Sequence, residues 1–251
     1  MRVQYCSDLH LEFEQNSRYL TENPLSVCGD ILILAGDIVP LHDEFLSNSF
    51  FSYISKSYKQ IFWVPGNHEY YYNDISEYSI SINIKLLGNI NIVNNIELQY
   101  EGTRFIFSTL WSRITPGNEK IIEQSIADFE CITSNNKRFK SSDFNKLHDD
   151  SMSFIKRSLI GNSDKTVVVP HHLPSALCNS HGHNISPLNE AFCVDLTDYI
   201  ENCKASFWIY GHSHFNQEPL FIGSTIMLTN QLGYVHLNES RTFRQNAYFS
   251  V

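Results

Sequence analysis

Ile61-Phe62-Trp63-Val64-Pro65-Gly66-Asn67-His68-Glu69 sets the reading of the whole chain. Four apolar residues run without a polar break and stop at a Pro-Gly turn, the pattern of a short strand covered on both faces. The turn then delivers an amide, an imidazole and a carboxylate in succession, more chemistry than a turn requires. The same grammar recurs to either side. Val3–Cys6 stops at Ser7-Asp8-Leu9-His10, Ile31–Ala35 at Gly36-Asp37, Thr166–Val169 at Pro170-His171-His172, and Ser206–Tyr210 at Gly211-His212-Ser213-His214. In open α/β sheets, ligands bind beyond the carboxyl ends of the strands, so these five loops are expected to converge on one edge of the core.

Asp and His side chains gathered there, with one Asn amide and no thiolate, make a donor set for borderline-to-hard cations such as Mn, Fe or Zn. Taken singly each signal is weak. A lone His after a strand is most often a packed or capping residue, and Asp37 has the ordinary alternative of capping the next helix. The weight lies in their order, each at the end of its own strand.

Outside these runs the pattern predicts helices at about Asp43–Tyr58, Ile75–Leu87, Glu119–Phe129, Ser142–Leu159 and Glu190–Cys203, which would cover the sheets. Ile96–Leu110, turning at Glu101-Gly102, and Glu218–Thr229, turning at Gly223-Ser224, read as hairpins of a second, more antiparallel sheet. The polar stretch Thr115–Asp150 reads both as an inserted cap over the site and as an ordinary surface excursion. No repeat, low-complexity tract or linker divides the chain, so residues 1–251 are expected to form a single domain.

With 42% apolar and 18% charged residues, the composition is that of a folded globular protein. The formal net charge of −9 disfavours a large surface for DNA, RNA or anionic lipid, which needs clustered Lys and Arg. Cysteines at 6, 28, 131, 178, 193 and 203 form no CxxC pair and are read as reduced thiols. No apolar stretch approaches the roughly 20 residues of a membrane span, so no membrane partner and a cytoplasmic location are expected.

The ordered set Asp8-x-His10, Gly36-Asp37, Gly66-Asn67-His68-Glu69, His171 and Gly211-His212-x-His214 resembles the calcineurin-like metallophosphoesterase superfamily, from residue 7 to residue 214. The resemblance implies a four-layer α/β/β/α sandwich, two mixed sheets flanked by helices, with a two-metal site at the strand carboxyl ends. It implies Asp8, His10 and His214 on one ion, Asn67, His171 and His212 on the other, and Asp37 bridging both. The ions would be divalent or mixed-valence, with a metal-bridging hydroxide as nucleophile. His68 would protonate the leaving oxygen, and Glu69 would fix a histidine.

Pro40 stands where purple acid phosphatases carry a Tyr, and where the lipid-A pathway pyrophosphatases usually carry an acidic residue. The Asp-Arg pair and the phosphate-gripping arginines of the protein Ser/Thr phosphatases are likewise replaced, by Ile38-Val39-Pro40-Leu41 and Tyr70-Tyr71-Tyr72. The expectation is therefore a hydrolase of small phosphomonoesters or phosphodiesters acting on a small phosphorylated substrate. A metal-dependent nuclease and a catalytically silent scaffold of the same fold are the alternatives; the acidic balance makes a polymer the poorer partner. For the substrate side, Asn67, His172, His181, His183, Tyr70 and Arg113 are candidates, with Trp111 beside them, each having packing, loop exposure or a surface ion pair as its ordinary alternative.

Overall fold

Successive residues of a strand point to opposite faces, so a fully apolar strand needs a partner layer on each side. The computed structural model, which describes residues 1–161, 165–179 and 186–251, supplies both layers. In chain order the strands are β1 (Arg2–Cys6), β2 (Ile31–Ala35), β3 (Gln60–Val64), β4 (Ile82–Leu87), β5 (Ile90–Asn94), β6 (Ile96–Tyr100), β7 (Thr103–Phe107), β8 (Thr133–Ser134), β9 (Lys137–Arg138), β10 (Thr166–Val169), β11 (Phe207–Tyr210), β12 (Leu220–Ile222), β13 (Thr225–Thr229) and β14 (Tyr248–Ser250). The helices are α1 (Glu14–Glu22), α2 (Asp43–Leu46), α3 (Ser49–Ser57), α4 (Glu119–Ser125), α5 (Asp128–Cys131), α6 (Ser141–Ser158) and α7 (Thr197–Asn202).

One sheet has the order β14-β1-β2-β3-β5-β4 and the other β12-β13-β11-β10-β7-β6. In each, a parallel centre is flanked by an antiparallel strand at both edges. Val3, Ile33, Phe62, Val64, Phe105, Phe107, Val167 and Val169 fill the space between the sheets. The alternate residues Leu32, Leu34, Ile61 and Trp63 face outward onto Phe51 and Ile54 of α3, while Val168 and Trp208 face Ile155 of α6 and Ile200 of α7. The result is a four-layer α/β/β/α sandwich. The segment 115–150 adds Ile122, Phe129, Phe139 and Phe144 to the core on the outer side of the first sheet. All six cysteines are free. Among the described residues, no helix is long and apolar enough to cross a membrane.

The structure corrects several expected elements. Ile75–Leu87 is no helix: a 3-10 turn at Ile75–Glu77 is followed by β4, which pairs antiparallel with β5. β4 is an edge strand with an exposed outer face, so its apolar spacing is too sparse to separate a strand from an amphipathic helix. The expected hairpins form, but they take the edges of the sheet built around β10 and β11; only the outermost pairs are antiparallel. The helix expected at Asp43–Tyr58 breaks at Asn48, whose side chain accepts from the Phe50 N–H at 2.9 Å and restarts the chain as α3. Glu119–Phe129 divides into α4 and α5, and of Glu190–Cys203 only Thr197–Asn202 is α-helical.

Candidate metal centre

The chain leaves β1, β2 and β11 through residues held at positive φ: Asp8 (55°), His10 (44°), Asp37 (56°), His212 (77°) and His214 (53°). Non-glycine residues rarely occupy this region, and such strain collects where surrounding structure dictates it for function. Two glycines let the loops close. A Cβ on Gly66 would collide with the Asp37 carboxylate and the His171 ring, and one on Gly211 with the Asp8 carboxylate and Ser7. The Pro-Gly and Gly-His turns thus make room for donor atoms.

Three groups of potential ligands result among the described residues, the donor atoms of each within 4.8 Å of one another: Asp8, His10 and His214 form one cluster, Asp37, His171 and His212 a second, and His10 also groups with Glu12 and His68. Asp37 faces the first two. Its Oδ2 lies 3.9 Å from His10 Nε2, and its Oδ1 lies 3.4 Å from His171 Nε2. Asn67 joins the second cluster, Oδ1 lying 3.3 Å from His171 Nε2. Asp8, Asp37, Asn67, His10, His171 and His212 are buried, and His214 is half-buried.

The hydrogen bonds around the histidines fix what the clusters can hold. His10 Nδ1 faces Glu12 Oε1 at 3.2 Å, His214 Nδ1 faces Glu239 Oε2 at 2.7 Å, and His171 Nδ1 donates to the Ala35 carbonyl at 2.8 Å. An imidazole that spends its N–H on Nδ1 presents a bare lone pair at Nε2. His10 Nε2 and His214 Nε2 stand 2.9 Å apart, a hydrogen bond in which one ring supplies the proton, beside carboxylate oxygens. Nitrogens and oxygens gathered this closely share positive charge, and a ring of imidazole, carboxylate and amide donors fits a divalent cation in the place of that proton. Burial would raise the Asp37 carboxyl, yet positive charge on the imidazoles, first that of His171, itself pushed up against its burial to about 10 by this carboxylate, and then that of His68, holds it well below its ordinary value. Burial lowers His212, and its neighbours His172 and His171 lower it further, leaving it a neutral donor.

His68 lies beside the clusters with its backbone N–H on Asp37 Oδ1 at 2.9 Å. Its ring stacks on Tyr71 with centroids 4.1 Å apart, and Nδ1 meets Glu12 Oε1 at 2.9 Å. Nε2 lies 3.5 Å from the Tyr234 hydroxyl. Burial opposes its charge, but Asp37 and Glu12 outweigh burial and push His68 up to about 9. Glu69 fixes no histidine, contrary to expectation. Buried, it accepts from the Asp37, Ile38 and Gly66 backbone N–H groups and from the Trp63 indole at 2.6–2.9 Å, tying the loops after β2 and β3 together.

The substrate-side expectations fare differently. Tyr70 is buried against Tyr78 and Trp111, itself buried, so neither faces the centre. Arg113 is exposed and pairs with Asp149. His172 is wholly buried against Trp111, Phe144 and His212, which leaves no face for substrate. Burial holds it well below the ordinary imidazole range. His181 and His183 lie outside the described residues.

Four participants escaped the sequence reading. Glu12 and Glu239 hold the Nδ1 atoms of His10 and His214, Asp128 accepts from the Asn67 amide, and Tyr234 packs on His10 and His214 with ring centroids 4.7 and 4.6 Å away. Only Glu12 left a trace, as the third member of the alternation Asp8-x-His10-x-Glu12.

Comparison with known proteins agrees with this geometry. The model of the calcineurin-like phosphoesterase family matches residues 1–216. The chain is 34% identical to "Uncharacterized protein L509" of Acanthamoeba polyphaga mimivirus over 279 aligned positions, spanning 100% of this chain and 97% of that one. Its fold is similar to the crystal structure of Phosphopantetheinyl Hydrolase (PptH) from Mycobacterium tuberculosis, with a TM-score of 0.73 over 98% of this chain and 95% of that chain. At 16% identity the latter likeness concerns the fold.

Proposed function

The chain belongs to the calcineurin-like phosphoesterase family, and from that membership we propose that it hydrolyses small phosphomonoesters or phosphodiesters with two bound metal ions. Asp8, His10 and His214 would hold one cation, and Asn67, His171 and His212 the other. The observation that carries this reading is Asp37, which turns one carboxylate oxygen to each cluster. Mn, Fe and Zn suit the donors. Bound there, such cations supply Lewis acidity toward phosphoryl oxygens and lower the pKa of water.

The chain's own side chains do the rest. His68 carries a proton at Nε2, the ring nitrogen not held by Glu12, and delivers it to the leaving oxygen. Glu12 and the Tyr71 ring fix the orientation of that nitrogen, and the Tyr234 hydroxyl beside it is placed to donate to an ester oxygen. With Tyr70 and Arg113 turned away, Tyr234 is the substrate-side group the geometry favours.

The test is a panel of phosphate esters offered to metal-free protein reconstituted with Mn, Fe, Zn or Mg. A phosphopantetheinyl ester belongs in that panel, because the fold neighbour is named for hydrolysing one. The parent protein should take up two equivalents and turn over at least one ester, whereas Asp37→Ala should lose both metal and activity. Two full equivalents retained by Asp37→Ala would overturn the bridging role.

A further inference from the structure

We infer that Asp128 is a positioning residue for the centre, fixing which atom of the Asn67 amide faces the second cluster. The inference rests on the two-metal reading above. It concerns a residue outside the motif set, on α5, within the polar segment 115–150.

A carboxamide has two faces of nearly identical shape, and only its hydrogen bonds decide which end is oxygen. Asn67 Nδ2 donates to Asp128 Oδ1 at 2.8 Å, and the Tyr71 hydroxyl donates to the same oxygen at 2.8 Å. Flipping the amide would set its oxygen against the Asp128 carboxylate, acceptor against acceptor, and would turn an NH₂ group toward His171. An NH₂ group cannot hold a cation. Asp128 is buried at 1% exposure, so no water competes for these bonds.

The same carboxylate reaches the proton donor. Tyr71, held by Asp128 through its hydroxyl, stacks on the His68 ring. One buried side chain from α5 therefore braces a metal ligand with one bond and the wall behind the acid histidine with the other. The segment that reads as a cap or surface excursion thus supplies part of the centre.

The experiment uses the full chain. Metal uptake by Asp128→Ala and Asp128→Asn is titrated calorimetrically, with thermal unfolding confirming that each variant is folded. Removing an outer partner of a metal ligand typically costs about 10–100-fold in affinity. Asp128→Ala should show that loss at one of the two sites, and Asp128→Asn, which keeps an acceptor oxygen, should recover most of it even if its melting temperature falls. A folded Asp128→Ala with parental affinity at both sites would overturn the inference, as would Asp128→Asn as weak as Asp128→Ala, since charge and not amide orientation would then be at work. In metal-free protein, the Asn67 carboxamide protons should exchange slowly with solvent, and Asp128→Ala should abolish that protection. If the parent takes up no second equivalent, the two-metal reading has failed, and the amide protons still decide the role of Asp128: equal exchange in parent and variant would sink it.

Discussion

His68 is where proton transfer and metal binding can be separated. Its ring groups with His10 and Glu12, outside the two clusters proposed to hold the metals, with Nδ1 on Glu12 and Nε2 beside the Tyr234 hydroxyl. His68→Ala should therefore keep its metal complement and lose roughly 10²–10⁴-fold in rate, the usual contribution of general acid catalysis. The loss should shrink for nitrophenyl esters, whose leaving groups need little protonation. An equal loss across leaving groups would show that His68 grips phosphate and donates no proton. Residues like this one were legible because each sits at the end of an apolar run, where a polar side chain has no packing reason to be. Their supports were not. Glu239 lies 25 positions from His214, and Asp128 lies 61 from Asn67, so nothing local in the sequence announces either bond. His172 shows the converse, a polar residue beside a ligand that the fold turns into the core.

Buried parallel strands announce themselves by composition, and β1, β2, β3, β10 and β11 were found to within a residue or so. Edge strands do so only where a turn signal marks a hairpin, as at β6 and β12. β4 and β14 owe their pairing to a neighbour and leave one face in solvent, so tertiary context decides them. The β8–β9 ribbon depends on such context even more openly. Its turn residues Asn135 and Asn136 donate their backbone N–H groups to the Asp74 carboxylate, which also accepts from Ser76. The Ser76 hydroxyl foremost, and then these N–H groups, draw Asp74 down to about 2, below its ordinary value of 3.8. Because the folded value is the lower one, the anchoring is fully present above about pH 4 and is lost as pH falls toward 2. Amide exchange at Asn135 and Asn136 should accelerate across that window, ahead of exchange in β2 and β3. In Asp74→Ala the acceleration should be present at neutral pH. Unchanged protection of both amides at pH 2.5 would show that the ribbon is held by other bonds.

Across the whole molecule, 27 acidic residues outweigh 18 basic ones, and the positive charge that phosphate needs would sit at one place, the strand ends. Repulsion of a polyanion by the surrounding surface reaches about a Debye length, roughly 8 Å at physiological salt, whereas the two cations proposed for the buried centre would attract phosphate at close range. A small ester carries few charges and meets mainly the centre. A long strand must also lie across the surface of a molecule with net charge −9, whereas binding a polymer usually calls for clustered Lys and Arg. Small monoesters or diesters should therefore be hydrolysed readily, and long DNA or RNA slowly. Added monovalent salt should raise the polymer rate by screening the repulsion, while barely changing turnover of an uncharged-leaving-group ester measured in parallel. That sign is informative, since a nuclease gripping its substrate through Lys and Arg loses affinity as salt rises. Fast cleavage of long single- or double-stranded nucleic acid at low salt, falling as salt is added and unaccompanied by activity on small esters, would make polymeric nucleic acid the substrate and place the basic contacts where net charge gives no sign of them.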